Sequence, residues 1–256
     1  MKQRLSWKWI AHSVVVLLFV FTLKLYYSNA GADELRWILA PTTSLVELVS
    51  GRSFEFESHA GYISDDRSFL IAPSCAGINL LITAFLMLSV RRLWKDRRSE
   101  TVGWAHIPAA ALIAYLVTLA ANATRISVAL LTRETPAEAG SLNQGQLHRV
   151  EGIFVYFGFL LLLWLVSERI GSGNGSGLPR RSAFPLLVYY STTLAIPLAN
   201  GAYRQGSDFW EHALFVLLIP LFMVLPVVAF GAYRRWHQLM MEPNAKTVRP
   251  EGSTAN

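Results

Sequence analysis

Long apolar runs, separated by short polar or basic stretches, decide what this chain can fold into. They lie at about residues 10–25, 69–90, 104–131, 153–166, 184–198 and 213–230. A helix of about 20 apolar residues crosses a bilayer while satisfying its backbone hydrogen bonds internally. Hydrophobic residues make up 53% of the 256 residues and charged residues only 16%, against roughly a quarter in soluble domains. The sequence therefore predicts an all-α, polytopic transmembrane bundle with about six spanning helices.

Lysine and arginine gather at alternate ends of these runs. The basic groups lie at residues 2–8, 91–98, 180–181 and 234–235. Because cytoplasmic loops of membrane proteins are enriched in such residues, both termini are predicted to be cytoplasmic. This placement also accounts for the net charge of +6 and the sequence pI near 9.6. The partner that the charge indicates is the lipid bilayer, and no nucleic acid is expected.

The runs and their connections divide the chain into six segments. A first transmembrane helix or signal anchor (1–26) precedes an extracytoplasmic segment (27–68) with an amphipathic patch at residues 35–39 that could lie on the membrane surface. A transmembrane core (69–166) and a Gly/Ser-rich cytoplasmic linker (167–183) follow, then a helical hairpin (184–235) and a cytoplasmic tail (236–256). We expect the first helix to be retained, although small residues at 28–32 leave a cleaved signal peptide as the alternative.

Cys75 is the only cysteine of the chain and stands at the start of the second apolar run. With Pro73 ending the preceding segment and Ser74 as N-cap, Cys75 is predicted to occupy the first turn of the helix. Free backbone N–H groups and the helix dipole would there favour a thiolate. The alternative is a small buried hydrophobic residue, a common use of free cysteine. The position favours a reactive thiol.

The predicted topology brings two further polar residues to the same membrane surface as Cys75. Arg125 lies about 30 Å beyond Trp104 along its helix, and His148 comes just before the next apolar run. Histidine suits the acid/base role beside a thiol nucleophile, whereas arginine stays protonated and stabilises negative charge. The alternatives are an arginine that reaches the headgroups and an ordinary interfacial histidine.

Other residues compete for the same roles or support them. His59 and His212 lie on the same predicted side as Cys75 and remain candidate bases, whereas His106 falls near the cytoplasmic end of its helix. Asn79, one helical turn after Cys75, and Glu151, three residues after His148, are placed to orient the thiol and the base. Both could equally be polar groups of helix packing.

Three segments of the core resemble the signature segments of the exosortase/archaeosortase family, in the same order and at the same spacings. They are Ala72-Pro73-Ser74-Cys75-Ala76-Gly77-Ile78-Asn79, Asn122-Ala123-Thr124-Arg125-Ile126 and His148-Arg149-Val150-Glu151-Gly152-Ile153-Phe154. The resemblance implies a polytopic cysteine transpeptidase or protease of the bacterial inner membrane, with its site at the extracytoplasmic surface. It implies Cys75 as nucleophile, His148 as acid/base and Arg125 as third catalytic residue, with Asn122 as a supporting residue.

The resemblance also implies the substrate class. It is a membrane-anchored protein whose C-terminal sorting tail carries a short motif, a transmembrane helix and a basic end; neither cofactor nor metal is implied. Two features depart from the family. Ala76 stands where many members have serine, and many members have about eight helices, so the chain resembles a compact, exosortase K-like subfamily.

The alternative to an enzyme is a polytopic membrane protein without catalysis, either a small transporter or an assembly scaffold. A transporter usually carries ionisable groups near the membrane midplane and often has inverted repeats. Here the midplane stretches are almost purely apolar and no repeat is visible. A membrane metalloprotease would need a His-Glu-x-x-His-type ligand set, which the sequence lacks.

Overall fold

The computed structural model describes residues 7–95, 103–134, 144–171 and 183–241. Within these ranges the chain forms seven helices: α1 (Trp7–Asn29), α2 (Arg36–Ser50), α3 (Ile78–Lys95), α4 (His106–Glu134), α5 (Gln144–Gly171), α6 (Ala183–Ala199) and α7 (Ser207–Met241). The predicted linker (167–183) and C-terminal tail (236–256) lie partly outside the described residues, as do part of the basic group at 91–98 and part of the stretch between the apolar runs at 104–131 and 153–166. The all-α polytopic bundle is confirmed.

Five of the described helices are long and apolar enough to cross a membrane. They are α1, α4, α5, α7 and the span Pro73–Lys95 that contains α3. The sixth predicted crossing forms α6, a shorter apolar helix that is interrupted by the π-helical turn Ser191–Ala195. Of the about six predicted spanning helices, five are thus long apolar helices among the described residues, and the sixth corresponds to the shorter apolar helix α6.

The helices pack around α3 and α5. Helix α3 lies against α1 and α4, whereas α5 lies between α4 and α7. Fully buried aromatic side chains fill the interior, with Phe85 from α3 and Phe157 from α5. At one end of the bundle, Arg91 of α3 donates to Glu168 of α5 at 2.9 Å. This ion pair joins two helix ends that the predicted topology places at the cytoplasmic surface.

Helix α2 packs against α4. Its apolar face, which includes Ile38, Leu39 and Val46, is buried. Pro41 inside α2 has no N–H, so the carbonyl of Trp37 lacks its usual helical donor. The hydroxyl of Tyr115 on α4 donates to this carbonyl at 2.8 Å. The apolar face of the amphipathic patch at 35–39 therefore packs against protein. Its place at the membrane surface stays a prediction.

A small antiparallel sheet that the sequence did not predict follows α2. Strands β1 (Phe54–Glu57), β2 (Gly61–Ser64) and β3 (Leu70–Ile71) form a meander, with Phe54 opposite Ser64 and Tyr62 opposite Ile71. Gly61 has a φ of +128°, and a side chain there would collide with the carbonyl oxygen of Ile71. Glycine is thus required where β2 meets β3.

Two aspartates fix the turns of this sheet. The pKa of Asp33 is lowered by a hydrogen bond from the backbone N–H of His59, and further by the hydroxyl of Ser58. The Ser64 hydroxyl lowers the pKa of Asp66 to about 2, together with the backbone N–H and hydroxyl of Ser68. Each carboxylate accepts several donors, which holds the turns that lead from α2 towards Cys75.

Candidate active site

Cys75 lies in a short turn between the sheet and α3. Residues Pro73–Cys75 form a 3₁₀ turn, in which the N–H of Cys75 donates to the Ala72 carbonyl at 2.8 Å. Gly77 then adopts a left-handed conformation with a φ of +70°, and its carbonyl accepts the first N–H bonds of α3. The left-handed residue separates the turn from the helix. The predictions that Cys75 occupies the first turn of the helix and that Ser74 is its N-cap are wrong.

Gly77 also lets the turn approach α4 closely. A β-carbon at this position would lie 3.2 Å from the Thr118 side chain and 3.3 Å from Cγ of Asn122. Asn122 is fully buried, and its Nδ2 donates a hydrogen bond to the backbone carbonyl of Cys75. The turn that carries the thiol is therefore fastened to α4.

Arg125 lies one helical turn after Asn122 on α4 and reaches across to α5. Its Nη2 donates to His148 Nε2 at 3.0 Å, and its Nη1 donates to the Tyr156 hydroxyl at 3.1 Å. Its Nε is buried without a hydrogen-bond partner and faces Gly152, where a β-carbon would stand only 3.1 Å away. The glycine gives the guanidinium room to lie across α5.

The Tyr156 hydroxyl closes the link back to Cys75. It donates to Asn122 Oδ1 at 2.7 Å, while Asn122 Nδ2 holds the Cys75 carbonyl. A continuous chain of hydrogen bonds thus runs from His148 through Arg125, Tyr156 and Asn122 to the backbone of Cys75. It joins residues of α4 and α5 to the turn before α3.

Charged and polar groups around the thiol complete the site. Arg125, Tyr27 and Tyr156 are each close enough to Cys75 to interact with it electrostatically. Glu151 interacts in the same way with both Arg125 and His148. Cys75 is partly buried. The site therefore places a partly buried thiol near a partly buried cation that also contacts an imidazole.

The remaining candidate residues have other partners. Asn79 accepts a hydrogen bond from Lys24 of α1 at 3.0 Å. Of the competing histidines, His59 contacts Asp33 at the tip of the β1–β2 hairpin, and the His106 ring contacts the Gly103 carbonyl. His212 of α7 interacts electrostatically with Arg149. Among the four candidate histidines, His148 is the one that contacts Arg125.

Tyr156, Gly152 and Tyr27 belong to the site but were not predicted from the sequence. Gly152 and Tyr156 follow His148 at intervals of four residues, which places all three on one face of a helix. This spacing from a candidate base is the sequence signal that could have identified Gly152 and Tyr156. Tyr27 lies on α1, and its position gives no comparable signal.

This site lies in a polytopic helical membrane protein. Comparison with protein families identifies the class of protein more closely. A family model described as "Transmembrane exosortase (Exosortase_EpsH)" matches residues 2–165. The chain belongs to the exosortase family, whose membership suggests a protein-sorting transpeptidase. Neither the curated proteins nor the solved structures yielded a match. Within the described ranges, no group of three or more His, Cys, Asp or Glu residues is arranged to hold a metal ion.

Proposed function

We propose that this protein is a membrane-embedded cysteine transpeptidase or protease that cleaves C-terminal sorting tails from exported proteins. Cys75 is the nucleophile, His148 the acid/base and Arg125 the group that stabilises the thiolate and the oxyanion. The enzyme resides in the bacterial inner membrane with both termini in the cytoplasm, and its site faces the extracytoplasmic side. Its substrate is anchored beside the bundle by the helix of its own tail.

One observation carries this proposal. Arg125 donates to His148 at 3.0 Å and interacts electrostatically with Cys75, although the three residues come from different elements of the chain. Nucleophilic catalysis at a peptide carbonyl uses a nucleophile, an acid/base group and a donor for the developing oxyanion, and Cys75, His148 and Arg125 are one residue of each kind. Family membership supports the same reaction class.

The hydrogen bond between Arg125 and His148 defines the starting state of the reaction. A guanidinium only donates, so Nε2 of His148 accepts with its lone pair and the imidazole is neutral. When a substrate carbonyl enters, its oxygen accepts from the Nη2 donor of Arg125, which turns away from His148. Nε2 is then free to accept the proton of the Cys75 thiol.

The reaction proceeds in two halves. The Cys75 thiolate attacks the scissile carbonyl carbon, forming a tetrahedral intermediate whose negative oxygen is stabilised by Arg125. The imidazolium of His148 gives its proton to the leaving amine as the C–N bond breaks, which releases the tail and leaves a thioester. An incoming amine then completes transpeptidation, or water completes hydrolysis, and either one regenerates the thiol.

Processing of a co-expressed candidate substrate tests the proposal. The substrate is a protein with a short motif, an apolar helix and a basic end at its C-terminus, chosen from genes beside this one. Shortening of the substrate is followed with wild type and with Cys75→Ala, Arg125→Ala and His148→Ala, each checked for its level in the membrane. His59→Ala and His212→Ala serve as matched controls.

The proposal predicts that wild type and both controls shorten the substrate, and that the three site variants do so at least about 100-fold more slowly. Loss of processing in His59→Ala or His212→Ala, with normal processing in His148→Ala, would reassign the base. Processing by Cys75→Ala at the wild-type rate would remove the thiol mechanism.

A further inference from the structure

The hydrogen bonds of the site have a fixed direction. Arg125 has only donors, so the Tyr156 oxygen must accept from Nη1. The hydroxyl hydrogen of Tyr156 is then donated to Asn122 Oδ1 at 2.7 Å. This orients the amide so that Nδ2 faces the Cys75 carbonyl, which can only accept. Each bond is compatible with one arrangement of donors and acceptors.

Tyr156 joins the two halves of this series of hydrogen bonds. Its hydroxyl contacts Arg125, which holds His148, and it contacts Asn122, which holds the Cys75 turn. Asn122 is fully buried, so its polar atoms depend on these protein partners instead of water. Removal of the single hydroxyl oxygen would leave both Asn122 Oδ1 and Arg125 Nη1 without this partner.

We propose that Tyr156 is a positioning residue whose hydroxyl holds the Cys75 turn in register with the Arg125–His148 pair. The catalytic meaning of this role rests on the proposed function, but the mechanical coupling between Tyr156 and the Cys75 turn does not. Tyr156 on α5 and Cys75 are 81 positions apart in the chain (156 − 75 = 81), so local structure does not couple them. The coupling runs through Asn122 on α4.

Tyr156→Phe tests the proposal because it removes one oxygen atom and keeps the ring. Hydrogen–deuterium exchange of the full-length protein in detergent reports on the amides of Cys75 and Ala76, which donate to Ala72 and Pro73 within the turn. Processing is first measured with the co-expressed substrate. The rates are then measured with purified enzyme and substrate, which gives kcat and KM separately. Tyr190→Phe is the matched control, since it removes a hydroxyl that donates to the Leu217 carbonyl at 2.7 Å on α7.

In Tyr156→Phe, the Cys75 and Ala76 amides are expected to exchange roughly 5- to 20-fold faster, which corresponds to the loss of one or two buried hydrogen bonds. We expect kcat to fall roughly 10- to 100-fold with KM within about twofold, because the hydroxyl does not bind the tail. Tyr190→Phe should leave both quantities at wild-type values. Unchanged exchange of the Cys75 turn in a folded Tyr156→Phe protein would overturn the proposal.

The exchange measurement also separates this inference from the proposed function. Faster exchange in Tyr156→Phe supports the coupling even where wild type fails to process any tail-bearing substrate, a result that would count against the proposed function alone. If Tyr156→Phe does not accumulate in membranes, Asn122→Ser tests the same series of hydrogen bonds at the residue that contacts the Cys75 turn. Its shorter side chain does not span from Tyr156 to Cys75, so the same increase in exchange is expected, and wild-type exchange would overturn the proposal.

Discussion

Arg125 Nη2 donates a hydrogen bond of 3.0 Å to Nε2 of His148, across the contact between α4 and α5. The bond requires a neutral imidazole, because the guanidinium has no acceptor. It also fixes which nitrogen of His148 faces the cation, and hence which nitrogen becomes available when a substrate carbonyl oxygen competes for Arg125. The relationship between these two residues thus sets both the resting state and the first proton transfer of the proposed reaction.

Gly152→Ala is expected to slow substrate processing at least about 10-fold without lowering the melting temperature of the protein. Alanine favours the helix over glycine by up to about 1 kcal/mol, but the new β-carbon would stand 3.1 Å from Arg125 Nε and displace a guanidinium that is held at both Nη atoms. Processing rates and thermal unfolding in detergent provide the measurements.

Gly158→Ala is the matched control for this substitution, on the same helix. There the added β-carbon meets only the terminal methyl of Met223, at 3.3 Å, which a flexible side chain accommodates. Processing by Gly158→Ala should stay within about twofold of wild type. Equal rates in the two variants would show that the position of Arg125 does not limit the reaction.

Gly77→Ala is expected to impair both stability and processing. Its φ of +70° costs a non-glycine residue about 1–2 kcal/mol, and the β-carbon would press on Thr118 and Asn122 at 3.2 and 3.3 Å. Gly51 has a φ of +68° with open space around its β-carbon, so Gly51→Ala isolates the backbone cost. Both variants should unfold at lower temperature, but only Gly77→Ala should also lose processing activity per molecule of folded protein. Wild-type specific activity in Gly77→Ala would contradict the close contact between the turn and α4.

The turn around Asp66 is expected to lose stability in acid. Its pKa of about 2 lies below the ordinary value of 3.8, so the folded turn favours the ionised form. The stabilisation is complete above about pH 4 and is lost as the pH falls from there towards 2. The carboxyl ¹³C resonance of Asp66 should titrate with a midpoint near 2, and Ser64→Ala should raise that midpoint because the Ser64 hydroxyl is the main cause. A midpoint near 3.8 in the wild type would show that the Ser64 and Ser68 donors do not stabilise the ionised carboxylate of Asp66.

Hydropathy and charge were sufficient to predict the long helices. Each spanning helix forms its backbone hydrogen bonds within itself, and its apolar residues are continuous in the sequence. They also placed Cys75, Arg125 and His148 at one end of the bundle, where the structure links them. The sheet at 54–71 escaped prediction because its strands are only two to four residues long. Short strands carry too few alternating positions to be recognised.

The detailed site depended on contacts between distant segments. The break at Gly77 follows from the approach of α4, and the hydrogen bond between Tyr156 and Asn122 joins residues 34 positions apart. The sequence pattern around Pro73 and Ser74 is equally compatible with an N-capped helix. In the structure the extended Ala72 is followed by a 3₁₀ turn, and the left-handed Gly77 separates that turn from α3.

Detection of a thioester at Cys75 tests the central claim most directly. Because Cys75 is the only cysteine of the chain, a thioester through a thiol of this protein must lie there, and hydroxylamine at neutral pH cleaves thioesters. Membranes from cells that carry the candidate substrate are solubilised, and the intact protein is analysed by mass spectrometry with and without hydroxylamine. The account predicts an adduct in the wild type that hydroxylamine releases and that Cys75→Ala lacks. Substrate shortening at the wild-type rate by Cys75→Ala, with no adduct in either protein, would contradict it.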